Sequence, residues 1–182
     1  MNKKKIVYCL LCSVVLLCSC PSSPHENEEG LLLNSEIKSV GQVIRKMNSG
    51  LNEMYVDSLA SEIVDLSSQY DIPKDIIITI VAHESSFDPF ATNPRSNATG
   101  LGQIIPKWWG EKYNFTNEDL FNWKINLGMT VKILKELRSN YGHRSNWIVN
   151  YYSRKPSVQR LRYYNEWKRK NRYVRYLLVQ GD

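Results

Sequence analysis

Past residue 20 the chain has no cysteine: Cys9, Cys12, Cys18 and Cys20 all fall within the first twenty of its 182 residues. A domain built from the remainder has neither a disulfide framework nor a thiolate cluster for zinc, so its stability must come from a buried core. Histidine is equally sparse, with His25, His83 and His143 scattered along the chain. His83 and Glu84 would open an HExxH zinc helix, but the place of the second histidine holds Phe87, and a metal site of that kind is rejected. No long alternating apolar and polar stretch marks a strand, and no segment repeats. These absences point to a mainly helical domain, and no cofactor is expected for it. About 150 residues remain for it, the usual size of one domain and enough to bury a real core.

The first residues form a segment of their own. Lys3, Lys4 and Lys5 precede an apolar run from Ile6 to Cys20 that is too short for an ordinary transmembrane helix, the pattern of an export signal. Leu17, Cys18, Ser19 and Cys20 resemble a bacterial lipobox, with Cys18 a departure from the usual small or aliphatic residue. Residues 1–19 are therefore expected to be a lipoprotein signal, with Cys20 the lipidated first residue of an exported, membrane-anchored protein; an uncleaved signal anchor is the alternative. Pro21 follows rather than an aspartate, so an outer-membrane address facing the periplasm is expected in a bacterium with two membranes. Residues 20–34 begin with Pro, Ser, Asn and Glu and lack an amphipathic period, which predicts a tether.

Formal charge is +6, and loss of the signal lysines leaves about +3. The excess is local: from Arg154 to Arg175 nine Lys or Arg face one acid, Glu166, with Tyr163, Tyr164, Trp167 and Tyr173 interleaved. Nucleic acid is not the expected partner of an exported chain. The readings left open are a basic face beside an anionic wall polymer or lipid surface, and a solvated face whose aromatics belong to the core.

Apolar spacing places the elements. Ile37, Val40, Ile44, Met47 and Leu51 predict an N-terminal helix within residues 35–52, and Val56, Leu59, Ile63, Leu66 and Tyr70 open the main domain, 53–182, with a helix that stops at Asp71–Pro73. Pro73 suits the start of a second helix ending at Glu84, and its Ile-rich body predicts burial on more than one side. The stretch from Phe87 to Thr99 reads as an irregular loop or short hairpin. Further helices are expected at about 122–141, 146–153 and 159–178, with Gly142 a stop.

Chemistry concentrates at Glu84. It closes the run IIITIVAHE and is followed, after the turn SSFDPF, by GLGQI from Gly100 to Ile104. A carboxyl at the end of a core-bound helix loses solvation and meets the negative end of the helix dipole, and both raise its pKa. A carboxyl still protonated near neutrality is what a general acid needs to protonate the departing oxygen of a glycosidic bond.

At Glu84, Ser85, Phe87 and Pro89, then Gly100, Leu101, Gly102, Gln103, Ile104 and Pro106, the chain resembles the soluble-type lytic transglycosylases, relatives of goose-type lysozyme. Weaker agreement continues through INLG at Ile125–Gly128, Tyr151 and YVRYLL at Tyr173–Leu178. The resemblance implies a lysozyme-like single domain with a glycan-binding groove. It also implies cleavage of the β-1,4 bond between N-acetylmuramic acid and N-acetylglucosamine in peptidoglycan strands, ending in a 1,6-anhydro sugar, with Glu84 as acid and then base. Tyr151 matches the family tyrosine set against that carboxyl, with a core aromatic as the alternative. Ser85 has two readings, a bond to the carboxyl or a helix cap. Gln103 carries donors and acceptors for an acetamido sugar, and Gly100 and Gly102 suit either close approach to a ligand or a tight turn. Trp108, or its neighbour Trp109, is the aromatic expected in the groove, and a monomer is the expected state.

Three positions depart from the family pattern. Tyr152, Ser153 and Arg154 follow Tyr151 where Asn and then Gly are usual, Lys124 replaces an Asn, and Asn93 stands where a Ser is common and is retained as a substrate-binding candidate. A hydrolase of lysozyme type would need a second carboxylate, for which Asp88 is the nearest candidate, although its place before Pro89 favours a turn. A glycan-binding scaffold without turnover is the other alternative.

Overall fold

A computed structural model describes residues 24–181 apart from 143, 145 and 154. Cys20, Arg154 and His143 thus lie outside the described residues. Six helices follow one another: α1 (Pro24–Met47), α2 (Glu53–Tyr70), α3 (Lys74–Glu84), α4 (Pro106–Tyr113), α5 (Trp123–Tyr141) and α6 (Val158–Gln180). Between α3 and α4 runs a two-stranded hairpin, β1 (Thr92–Asn93) against β2 (Ala98–Thr99), paired antiparallel. Single 3-10 turns at Asp119–Phe121 and Trp147–Asn150 flank α5.

The stops and starts have local causes. The Asn52 side chain caps α2 by accepting from Tyr55 N–H, and Asp71 leaves it in the left-handed region. Asn122 caps α5 through Lys124 and Ile125 N–H, and Ser157 caps α6 through Arg160 N–H. Each such cap contributes about 1 kcal/mol by satisfying otherwise orphaned donors.

Helix α3 is the axis of the molecule. Every residue from Ile77 to Ala82 is buried, because α3 is enclosed by its neighbours: Val40 and Ile44 of α1, Leu59 and Ile63 of α2, Leu127 and Leu134 of α5, and Trp167 and Val174 of α6 share its core cluster. At about 1.5–3 kcal/mol for each large aliphatic side chain buried, this cluster carries most of the fold. A smaller cluster, Ile104, Leu120, Ile133 and Leu137, sits under α4. Helix α6 is tied to α3 by polar side chains as well: Asn171 Nδ2 reaches Asp75 O and Thr79 Oγ1, and Lys170 Nζ donates to Ala82 O at 2.8 Å. A cation at the last carbonyls of α3 also complements the helix dipole.

Several sequence expectations are corrected. The stretch read as a tether to residue 34 is helical from Pro24 onward, and the N-terminal helix ends at Met47 rather than near 52. Proline is compatible with a first helical turn, Glu28, Glu29 and Leu31–Leu33 are good helix formers, and extending a helix costs less than nucleating one. Leu31 and Leu32 remain exposed on it. The segment 146–153 forms only a 3-10 turn, and α4, whose eight residues show too short a period to read, was not anticipated. Among the described residues no helix is long and apolar enough to cross a membrane.

Candidate active site

Glu84 is the last residue of α3, and the chain leaves it through a strained turn. Ser86 and Phe87 both adopt positive φ, 54° and 67°, a region costing non-glycine residues on the order of 1–3 kcal/mol each. The turn is held from outside. Asn48 Nδ2 donates to Ser86 O at 2.8 Å, Tyr55 Oη donates to Phe87 O at 3.1 Å, and the Phe87 ring is buried in the core. Asp88 finishes the turn by accepting from Phe90 N–H at 2.9 Å. Ser85 Oγ donates to Val81 O at 3.2 Å, which places its hydroxyl on the helix end.

The Glu84 carboxyl receives a hydrogen bond from Tyr163 of α6, Oη to Oε1 at 2.6 Å. Burial pushes its pKa up to about 7, while the Tyr163 hydrogen bond and the Lys170 ammonium pull the other way. Burial, and then the Glu84 charge, hold the Tyr163 hydroxyl well above its ordinary value, so it stays a donor. His83 meets the Tyr163 ring edge-on, centroids 4.7 Å apart, and burial followed by Lys170 lowers its pKa, favouring the uncharged ring. The result is a carboxyl that exchanges its proton near neutrality, aimed by a phenol.

The opposite wall is built from loop. Gly100–Gln103 turns beneath the hairpin around Asn126 of α5, a fully buried side chain that donates to Thr99 O and Leu120 O and accepts from Gly102 N–H, each at 2.9 Å. One side chain thus supplies the partner of Gly102 N–H and Leu120 O and a second donor to Thr99 O, which also accepts from Ile104 N–H at 3.1 Å. Gly100 has φ 73°, and a Cβ there would overlap Asn126 and come within 2.7 Å of Leu120 O. At Gly102 a Cβ would overlap Thr130 Oγ1 and come within 2.7 Å of the Tyr151 hydroxyl. The two glycines therefore permit close approach to protein groups, and neither lines the groove. Tyr151 Oη donates to Gly102 O at 2.7 Å. The family tyrosine position braces the loop, and the hydrogen bond to Glu84 comes from Tyr163.

Between the walls lies a groove of about 480 Å³ lined by Glu84, Asn93, Gln103, Trp108, Trp109, Tyr151 and Tyr152, among others. Gln103 Nε2 donates to Ala91 O at 3.0 Å and Gly100 O at 3.2 Å, which fixes its amide at the groove wall. Asn93 pairs with Ala98 in the hairpin and its Oδ1 accepts from Arg95 N–H. Trp108 is 62% exposed, a face available for stacking on a sugar ring. Trp109 stacks on Tyr113. Among the described lining residues Glu84 alone carries a carboxyl. Asp88 accepts from Phe90 N–H, lies near enough to Tyr55 for its charge to act on that phenol, and is not among the residues lining the groove, while Asp119 is occupied by Thr116 N–H and Oγ1. Of the basic segment, Tyr163 and Trp167 are buried while Lys168, Arg169, Arg172 and Arg175 are exposed on α6.

Sequence reasoning missed Tyr163 and Asn126 as site residues. Tyr163 had a readable signal: it shares the buried stripe of α6 with Trp167 and Val174, and a buried phenol hydroxyl requires a partner. Asn126 lay inside the INLG match without an assigned role.

The family model for the transglycosylase SLT domain matches residues 63–174, from within α2 to the far part of α6. Comparisons with curated proteins and with solved structures found no match.

Proposed function

This chain belongs to the transglycosylase SLT family, whose work is peptidoglycan cleavage of the lytic-transglycosylase type, and from that premise we propose that Glu84 performs both proton transfers of the reaction. The protonated carboxyl gives its proton to the glycosidic oxygen as the bond from the muramyl C1 breaks. The carboxylate left behind takes the proton of the muramyl C6 hydroxyl, whose oxygen bonds to C1 and closes a 1,6-anhydro ring. Glu84 ends protonated, as it began, and no water is consumed. The observation that carries this reading is that the one carboxyl among the described groove residues has its pKa pushed up to about 7, since a group donating and then accepting one proton works best when its pKa lies near the operating pH.

Inverting hydrolysis calls for a second carboxylate about 6.5–9.5 Å away to activate water, and retaining hydrolysis for one at about 5–5.5 Å. Asp88, the sequence candidate for that role, serves the turn instead. The test is mass spectrometry of purified peptidoglycan digested in ¹⁸O water. Fragments lighter by one water and free of solvent label at the muramyl end are expected, and label at the cut overturns the proposal in favour of hydrolysis.

We also propose that Cys20 is the lipidated first residue of the exported protein, holding the groove within reach of the wall. Intact mass of the purified protein decides it: the lipid increment should vanish in Cys20→Ser, and its persistence there refutes the anchor.

A further inference from the structure

Tyr152 stands where the family pattern has an asparagine, and its ring occupies a definite place. It stacks on Tyr163, centroids 4.9 Å apart and planes 23° apart. Tyr152 is also 42% exposed and lines the groove. The Tyr163 ring therefore has two aromatic neighbours, His83 at its edge and Tyr152 stacked on it, and its hydroxyl donates to Glu84 Oε1. Glu84 is the end of this chain of contacts and the groove surface is its beginning.

We propose that Tyr152 is a positioning residue that acts through Tyr163, its stacked ring fixing the direction of the hydrogen bond that aims the Glu84 carboxyl. The physical basis is rotameric. A phenol ring pivots about two side-chain torsions, and a small pivot at the ring displaces the hydroxyl at its far end by more than a hydrogen bond of this length tolerates. His83 alone limits the ring at one contact, whereas a stacked partner restrains its tilt as well. Because Tyr152 belongs to the groove surface, a sugar ring seated against it bears on the same stack, so occupancy of the groove and alignment of the acid become linked. Pro156 and Ser157 follow closely in sequence, and the Ser157 cap of α6 anchors the segment that carries Tyr152 to the helix that carries Tyr163. This inference rests on the reading of Glu84 as the acid and base.

The experiment is a double-mutant cycle with the full chain: parent, Tyr152→Ala, Tyr163→Phe and the double variant, read by kcat, KM and the pH profile. Tyr152→Ala should lower kcat about fivefold, the scale of an aromatic pair contact, and should cost less than about twofold when Tyr163 is already phenylalanine, as expected of residues acting in series. Tyr152→Phe keeps the ring and should recover the alanine loss, while Tyr152→Asn, the residue type of the family pattern, should behave like alanine. Equal losses in both Tyr163 backgrounds overturn the proposal. The same cycle is read without turnover by following the Glu84 side-chain carboxyl carbon through a pH titration by NMR. There Tyr152→Ala should move the midpoint in the parent and leave it in place in Tyr163→Phe, and equal movement in both backgrounds is again a refutation. If the titration cycle shows coupling while no variant, parent included, cleaves peptidoglycan, the reaction assigned to Glu84 fails and the positioning geometry stands.

Discussion

The two walls of the groove are built on opposite principles. On one side Glu84 ends a helix enclosed by apolar neighbours, and the groups around it, Tyr163, His83 and Lys170, come from helices α3 and α6. On the other, Gly100–Gln103 has almost no regular structure of its own and takes its shape from one buried amide, Asn126, and from two missing Cβ atoms. The first wall is a product of bulk hydrophobic burial, which tolerates volume-conserving change. The second depends on single atoms. With Glu84 as the proposed acid and Gln103 as the proposed glycan contact, chemistry falls to the robust wall and substrate contact to the exacting one, so substitutions on the two sides should fail in different ways.

The largest effect belongs to the helical wall. Glu84→Gln removes the proton while keeping the shape, and kcat should fall by at least about a hundredfold, the lower end of what general acid–base catalysis contributes. The fold should respond in the other direction. A carboxyl whose folded pKa is raised binds more protons folded than unfolded between about 4.5 and 7, so stability falls as pH rises through that window and the ionised group is a liability above it. Glutamine carries no such burden. Thermal denaturation should therefore show Glu84→Gln gaining on the parent from pH 5 to pH 8, by up to about 2–3 kcal/mol if the whole shift is expressed. An unchanged gap across that range would show that Glu84 titrates like an ordinary exposed carboxyl.

Asn126→Leu tests the loop wall, and there the loss should be of structure. Leu120 O and Gly102 N–H lose the partner Asn126 gives them, at about 1–3 kcal/mol each, while Thr99 O keeps Ile104 N–H. Chemical denaturation should register a loss of about 3 kcal/mol, with KM raised as the Gln103 wall loosens. Gly102→Ala should cost less, about 1–3 kcal/mol for an overpacked contact with Thr130 and Tyr151, and pairing it with Thr130→Ala should recover part of the loss. If Asn126→Leu is silent, the wall is held by something other than that amide.

The contrast also explains what the sequence disclosed. Helix α2 was legible because burial on one face writes a period into the chain, as in Val56, Leu59 and Ile63, and α3 because Pro73 opens an Ile-rich run buried on more than one side. Glu84 was legible because a carboxyl closing such a run is unusual and because GLGQ follows it. On the loop wall the motif letters were visible but their work was not: Gly102 was read as suiting either a ligand's approach or a tight turn, and it accommodates Tyr151, a pairing across 49 positions that no local pattern encodes. The donor to Glu84 was misplaced for the same reason, since Tyr151 and Tyr163 are both buried phenols near the carboxyl and only three-dimensional placement separates their partners. Helix α1 extended past its expected start because an apolar period marks where a helix is buried and stays silent about where an exposed one begins.

The smallest effect is expected at Ser85, which sharpens the boundary between the walls because it adjoins Glu84 in sequence and is drawn into the helix end. Its hydroxyl donates to Val81 O at 3.2 Å, a back-bond of the kind serine makes within a helix, where it competes with backbone pairing and contributes little net stability. Ser85 also borders the space beside Asn93 and Gln103, so a purely local reading would make it a partner of the carboxyl. The two roles separate cleanly in Ser85→Ala. A helix-end hydroxyl predicts stability within about 0.5 kcal/mol of the parent, kcat within about twofold and an unmoved pH profile, because the hydrogen bond that tunes Glu84 comes from Tyr163. A hydroxyl engaged with the carboxylate would stabilise its charged form, so its loss would shift the basic limb of the rate profile to higher pH. Tyr163→Phe should produce that shift and Ser85→Ala should not. If the alanine variant moves the limb as far as the phenylalanine variant does, Ser85 acts on the acid directly and the proton-handling wall extends one residue beyond its helix.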